Sequence, residues 1–124
     1  MSHVYCLNQA MENGQIVVMA ADRVSTPSRA LKVKILDETA YLPKGPFALA
    51  VMQQCPVLLF FVVKIKGKEY RMFVSELQMD KDLSRPQQIQ HLAEQYADAL
   101  SQKMREYPLQ WFTYYDIWKE KTWL

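Results

Sequence analysis

The fold of this chain is decided by one stretch, Pro56-Val57-Leu58-Leu59-Phe60-Phe61-Val62-Val63. Every residue in it is apolar, and its β-branched and aromatic side chains favour a strand. An apolar run that does not alternate with polar residues is typical of a strand covered on both faces. We therefore predict a central, fully buried β-strand here and arrange the rest of the sequence around it.

A partner strand is predicted directly after this run. Residues 64–68 turn the chain around through Gly67, and residues 70–74 alternate in a pattern that fits an antiparallel neighbour. The two segments together predict a β-hairpin.

The residues before the run predict a second pair of strands and a helix. Residues 31–36 alternate apolar side chains with lysines, which predicts a half-exposed strand, followed by a turn at 37–39 and a short return at 40–42. Residues 46–54 predict a helix with proline in its first turn. The order strand, helix, strand, strand predicts an α/β fold, a mixed sheet with flanking helices.

Another apolar run lies near the amino terminus, Gly14-Gln15-Ile16-Val17-Val18-Met19-Ala20-Ala21-Asp22-Arg23. Residues 4–12 predict an amphipathic helix, and Gly14 can take the left-handed conformation that ends it. Residues 16–21 predict a strand covered on both faces. Asp22 and Arg23 then follow at the strand's carboxyl end, where α/β sheets place ligand-binding groups. The alternative for this pair is the start of a solvated loop.

A second candidate binding block is Lys44-Gly45-Pro46, at the start of the predicted helix 46–54. The free amides and the positive dipole end of a helix attract anions, and Lys44 adds a full charge. The alternative is an ordinary turn between a strand and a helix.

The longest predicted helix follows Ser84, which forms a capping box with Gln87 and leads to a helix ending near Glu106. Its buried stripe consists of Ile89, Leu92, Ala93, Tyr96, Leu100 and Met104. His91 falls on or beside the polar face and is interpreted as a surface histidine and not as a catalytic base, because no nucleophile is placed near it.

Aromatic residues crowd the carboxyl terminus. Residues 108–118 predict a helix that docks its aromatic side chains on the sheet, with Trp111 and Phe112 in the core. The alternative is a belt of aromatic and lysine side chains at a membrane–water boundary. Trp118 and Trp123 fit either interpretation.

Length and composition limit the function classes. The chain has 124 residues and a net charge of +2, which fits one domain spanning residues 1–124 and gives no indication of nucleic-acid binding. Cys6 and Cys55 lack metal-ligand spacing and are interpreted as buried, reduced residues. No signal peptide, membrane-spanning run, metal-binding motif or cofactor-binding motif is present in the sequence.

Four blocks occur in a fixed order: Gly14-x-x-Val17-x-x-x-Ala21-Asp22-Arg23; Val33-x-Ile35-Leu36 with Ala40-x-Leu42-Pro43-x-Gly45-Pro46-Phe47-x-Leu49-Ala50; Pro56-Val57; and Tyr107-Pro108-x-Gln110-Trp111-Phe112-x-Tyr114-Tyr115-Asp116-x-Trp118. This set resembles the carboxyl-terminal part of the lysophospholipid acyltransferase superfamily, within it the lipid A biosynthesis (lauroyl/myristoyl) acyltransferase branch of bacteria. The resemblance covers nearly the whole chain, and the last block is its most specific part.

The resemblance implies transfer of a fatty acyl group from acyl carrier protein or acyl-CoA to a lipid or saccharolipid acceptor. It implies that Asp22, Arg23, Lys44, Gly45 and Pro46 bind the acceptor, and that the protein lies peripherally at the cytoplasmic face of the bacterial inner membrane. From the missing motifs we expect no cofactor and no metal.

The chain departs from the family at the catalytic motif, a histidine followed at the fifth position by an acid. His3 is followed there by Asn8, an amide that cannot support an imidazolium. We therefore expect no catalytic residue in this chain, which would be the inactive carboxyl-terminal half of a longer acyltransferase. The alternatives are a non-catalytic binding domain, associating through an exposed sheet edge, and an inactive remnant of the fold.

Overall fold

The structure, a computed structural model, describes residues 2–25, 27–113 and 115–119. Its elements are α1 (Ser2–Glu12), β1 (Ala30–Ile35), β2 (Glu38–Pro43), α2 (Lys44–Gln53), β3 (Val57–Lys66), β4 (Glu69–Leu77) and α3 (Arg85–Glu106), with a single 3-10 turn at Pro27–Arg29. The predicted α/β class, with helices flanking strands, is confirmed.

The four described strands form two antiparallel hairpins, β1–β2 and β3–β4. Leu36 and Asp37 connect the first pair, and both have positive φ angles, 53° and 68°. Such a two-residue turn matches the twist of the strands it joins. The predicted turn at 37–39 was therefore wrong in part, because Glu38 and Thr39 already pair with β1.

The second hairpin turns at Gly67, whose φ is 52°, and its register runs from Val57 opposite Leu77 to Lys66 opposite Glu69. The strand and its antiparallel partner were predicted correctly, but full burial was wrong. Leu59 and Val63 face the core, whereas Leu58 is 65% exposed. Leu59 and Leu77 belong to the core cluster, whereas the alternate residues on the other face of this hairpin are exposed.

The predicted strand at residues 16–21 was wrong, because this segment has no strand pairing. The helix stop before it was right: Gly14 has a φ of 74°, its N–H donates to Met11 and the Gln15 N–H donates to Ala10. This pair of bonds is the Schellman motif. Ile16 beyond it is 91% exposed.

The long helix α3 organises the core. Its predicted capping box forms, with the Gln87 N–H donating to Ser84 Oγ and the Ser84 N–H donating to Gln87 Oε1. The predicted stripe is buried apart from Tyr96, which is half-buried, and it packs against β1 and α2. Ser101 Oγ accepts from the Leu36 N–H at 3.0 Å, which ties α3 to the first hairpin.

The predicted helix at 108–118 was wrong. After Tyr107 the described residues form turns and extended chain, which crosses the first hairpin: the Tyr41 N–H donates to the carbonyl of Ile117, and the Trp118 indole donates to Ile35. Ile117 is buried, whereas Phe112 is 76% exposed and not in the core as predicted.

The other predictions for isolated side chains had mixed outcomes. Trp111 is half-buried and contacts Trp118 edge to face, whereas Trp123 lies outside the described residues. Cys6 is exposed on α1 and not buried as predicted, and Cys55 is half-buried; both are free thiols.

Candidate functional site

A largely apolar cavity of about 400 Å³ lies beside β3. It is lined by Met11, residues 17 and 19–22, the α2 residues Pro46, Phe47, Leu49 and Ala50, residues 56–61, and Leu77, Tyr96, Leu100 and Trp111. Side chains of a strand alternate between its two faces, so a cavity touched by five consecutive residues of β3, 57–61, runs along the strand's edge. Leu77 is its only lining residue from β4, which places the cavity at the edge of β3 that faces away from β4.

The cavity brings together two of the predicted site residues. Asp22, which is half-buried, lines it at the end of the 17–22 segment, and Pro46 lines it from the first turn of α2. Arg23, Lys44 and Gly45 are exposed neighbours of these two residues and do not line the cavity. The two blocks, separate in sequence, therefore flank one apolar space with their cations in solvent.

The first turn of α2 is open to an anion. The helix begins at Lys44, two residues earlier than predicted, so Lys44 and Gly45 lie inside it. Pro43 at the N-cap position provides no side-chain hydrogen bond, and the first turn holds no acidic residue. The first amides of a helix lack intrahelical partners and lie at the positive end of its dipole. The free amides and the Lys44 ammonium therefore create a positive potential at the start of α2.

Tyr96 adds a polar group to the apolar wall. Its ring meets Phe47 edge to face, with centroids 5.9 Å apart. Burial raises the pKa of the Tyr96 phenol above its ordinary value, and the negative charge of Asp22 raises that pKa further. The hydroxyl therefore stays protonated at neutral pH and can donate a hydrogen bond. The sequence pattern predicted only that Tyr96 packs in the buried stripe of α3, although the phenol in this stripe already indicates a polar group in an apolar setting.

Gln110 closes part of the edge of β3. Its side-chain Nε2 donates to the Lys64 carbonyl at 2.6 Å, and its Oε1 accepts from the Lys64 N–H at 2.7 Å. Gln95 binds the backbone of Gln78 in the same two-bond manner, just after β4. The side-chain amides of Gln110 and Gln95 thus each make the two backbone hydrogen bonds that a residue of a neighbouring strand would make. Gln110 stands in the last of the four sequence blocks, but nothing in that block predicted its contact with Lys64.

The two histidines lie on different helices, His3 on α1 and His91 on α3. His3 is exposed on α1, and Asn8 accepts a hydrogen bond from Gln53 at 3.0 Å. Residues five apart on a helix point about 140° apart, so Asn8 does not face His3. His91 is half-buried, with its Nδ1 3.4 Å from the Gln95 amide.

Two further properties concern the part of the chain that the structure describes. No group of three His, Cys, Asp or Glu side chains there could hold a metal ion. None of its helices combines the length and the hydropathy needed to cross a bilayer.

Comparison with known protein families gives one match. The family described as bacterial lipid A biosynthesis acyltransferase matches residues 4–120, which include both candidate blocks, the cavity and Gln110. No curated protein matches the chain.

Proposed function

Because this chain belongs to the bacterial lipid A biosynthesis acyltransferase family, we propose that it takes part in moving a fatty acyl group from a carrier thioester to a lipid or saccharolipid acceptor. Within that reaction it supplies the acceptor-binding part. The observation that carries the proposal is the apolar cavity whose wall includes Asp22 and the first turn of α2.

The cavity and its charged rim suit an amphipathic acceptor. A hydrocarbon chain that enters the cavity is stabilised by roughly 0.8 kcal/mol per buried CH₂ group. A phosphate or carboxylate on the same molecule would be bound by the Arg23 guanidinium, the Lys44 ammonium and the amides of the α2 first turn. Tyr96 and Asp22, which line the cavity, would hydrogen-bond polar atoms next to the hydrocarbon.

The chemical step needs a group that this chain does not supply. The acceptor hydroxyl attacks the thioester carbonyl, the thiol leaves, and a base must take the hydroxyl proton. In the 124 residues no histidine is followed at the fifth position by an acid. In this proposal a separate polypeptide segment provides the base, acyl carrier protein or acyl-CoA provides the thioester, and the reaction occurs at the cytoplasmic face of the inner membrane.

A non-catalytic binding domain is the second candidate. It is favoured by the apolar face that the second hairpin exposes, on which Leu58 is 65% and Met72 62% exposed. An inactive remnant of the fold would bind neither lipid nor protein.

The first test is an acyl-transfer assay with a radiolabelled acyl carrier protein thioester and total membrane lipid. The chain is assayed alone and mixed with a polypeptide that carries the histidine–acid motif. We expect product only in the mixture. Product from the chain alone would refute the proposal that the base comes from a separate segment. No product in either assay would favour the non-catalytic binding domain.

A binding measurement tests the acceptor site without catalysis. We expect a lysophospholipid below its micelle concentration to bind the chain in calorimetry, and Ala20→Phe, which fills the cavity, to abolish binding. Gln15→Phe, just before this segment and outside the cavity, is the control. Arg23→Ala should weaken binding about tenfold, as expected for losing one charged hydrogen bond, whereas Arg29→Ala should not. If Ala20→Phe weakens binding no more than Gln15→Phe, and Arg23→Ala no more than Arg29→Ala, the proposed acceptor site is wrong.

A further inference from the structure

The β3–β4 hairpin exposes an apolar surface, here called the outer face. Its six apolar side chains are between 47% and 65% exposed and alternate along both strands: Leu58, Phe60, Val62, Tyr70, Met72 and Val74. Phe60 lies opposite Val74 and Val62 opposite Met72, so the side chains form one continuous patch. Monomeric proteins rarely expose apolar patches larger than a few hundred Å², and larger ones mark interaction sites.

The outer face carries opposite charges at its two ends. Lys64 lies at one end, opposite Tyr70, and Glu76 lies at the other end, opposite Leu58. These ends are about 20 Å apart, given the rise per residue of a strand. Both side chains are exposed, and neither forms an ion pair with another described residue.

This pattern is complementary to itself. Two hairpins can stack face to face about a two-fold axis that lies between them, perpendicular to the strands. That rotation brings the Lys64 end of each copy over the Glu76 end of the other, so two ion pairs form at the rim. The apolar centres around Val62 and Met72 then cover each other.

We propose that the outer face is the interface of a homodimer, in which a second copy of this chain covers it. An anionic lipid surface would attract Lys64 but repel Glu76, so the charges favour a protein partner of the same pattern. Pairing along the edge of β3 is less suitable, because Gln110 already occupies that edge at Lys64 and the cavity borders its beginning. The inference does not depend on acyl transfer.

Sedimentation equilibrium of the full chain tests this interface, with circular dichroism to verify that each variant is folded. We expect a dimer, and Met72→Glu, which places a charge at the apolar centre outside the cavity, should give a monomer. Lys64→Glu and Glu76→Lys should each raise the dissociation constant at least tenfold, because each sets like charges opposite one another. The double variant Lys64→Glu/Glu76→Lys should recover the dimer, and Lys81→Glu, off the outer face, should leave the dissociation constant unchanged.

The charge-swapped double variant distinguishes a second copy from other occupants. A monomer at all concentrations, a dimer that survives Met72→Glu, or a double variant no tighter than the single variants would each overturn the proposal. Monomeric protein that binds vesicles of anionic phospholipid through Met72 would also overturn it, since lipid would then cover the outer face.

Discussion

Two apolar runs of similar composition behave differently in this molecule. Residues 57–63 form most of β3, paired with β4 along their whole length. Residues 16–21 have no strand pairing, and Ile16 and Val18 are 91% and 69% exposed. Both were predicted as strands covered on two faces. Residues 57–63 form a strand that is covered on one face, and residues 16–21 form no strand.

The difference lies in the availability of a hydrogen-bonding partner. A strand must satisfy its N–H and C=O groups on a neighbour, whatever its side chains prefer. For β3 that neighbour begins three residues after its last residue, so only a short loop must close. The 16–21 segment is followed by a 3-10 turn and then by β1, which pairs with β2. An apolar run therefore predicts a tendency to be buried, and the pairing decides whether it becomes a strand.

The largest expected effect comes from truncating each run at an equivalent residue. Leu59→Ala should lower the free energy of unfolding by about 2–3 kcal/mol, because Leu59 is only 8% exposed in the core. Ile16→Ala should change it by less than about 0.5 kcal/mol, as is usual for an exposed site. Urea unfolding followed by circular dichroism measures both. A loss for Ile16→Ala as large as that for Leu59→Ala would show that residues 16–21 are packed in solution.

A smaller effect is expected at the edge of β3. Gln110→Ala removes both side-chain bonds to the Lys64 backbone and should destabilise the chain by about 1 kcal/mol, since water can replace them at this exposed edge. Hydrogen exchange at the Lys64 amide should become faster. Gln102→Ala, which removes one exposed bond to Glu106, is the control and should leave that amide unchanged. Unaltered exchange in Gln110→Ala would mean that the edge is closed by something other than Gln110.

Local signals in the sequence predicted the fold well. The capping box at Ser84, the left-handed Gly14 and the turn at Gly67 each depend on residues a few positions apart, and all three form. Burial of Leu58 and Phe112 was mispredicted, because exposure depends on which distant elements cover a face. The Ile117 carbonyl bonded to Tyr41 illustrates the same limit, since nothing in either segment marks the other as its partner.

The two candidate blocks were selected from the sequence, whereas the cavity between them was not predicted. The Asp22 and Pro46 blocks were selected separately, and the structure places both residues in the wall of one cavity. Tyr96 and Gln110 were missed as polar groups, because their contacts reach across the fold and leave no periodicity in the sequence. The cavity itself lies between the two apolar runs compared above.

The smallest expected effect tests whether the 17–22 segment stays beside β3 in solution. Burial is the main cause of the raised pKa of Tyr96, and the Asp22 carboxylate contributes less. Asp22→Asn should therefore lower that pKa slightly, whereas Asp37→Asn, which alters an exposed carboxylate in the β1–β2 turn, should not. Ultraviolet titration of the phenolate, with Tyr96→Phe subtracted to remove the other tyrosines, measures the shift. An unchanged pKa in Asp22→Asn would mean that the Asp22 carboxylate does not act on the Tyr96 phenol in solution.

The same tyrosine links the cavity to stability. An unfolded tyrosine titrates near a pKa of about 10, and in the folded chain the pKa of Tyr96 lies higher. The unfolded state therefore loses its proton first as pH rises, so the contribution of Tyr96 to stability is fully present below about pH 10 and falls above it. Tyr96→Phe should flatten this decline in urea unfolding between neutral and alkaline pH. An equally steep decline in Tyr96→Phe would mean that groups outside the cavity cause the loss of stability at alkaline pH.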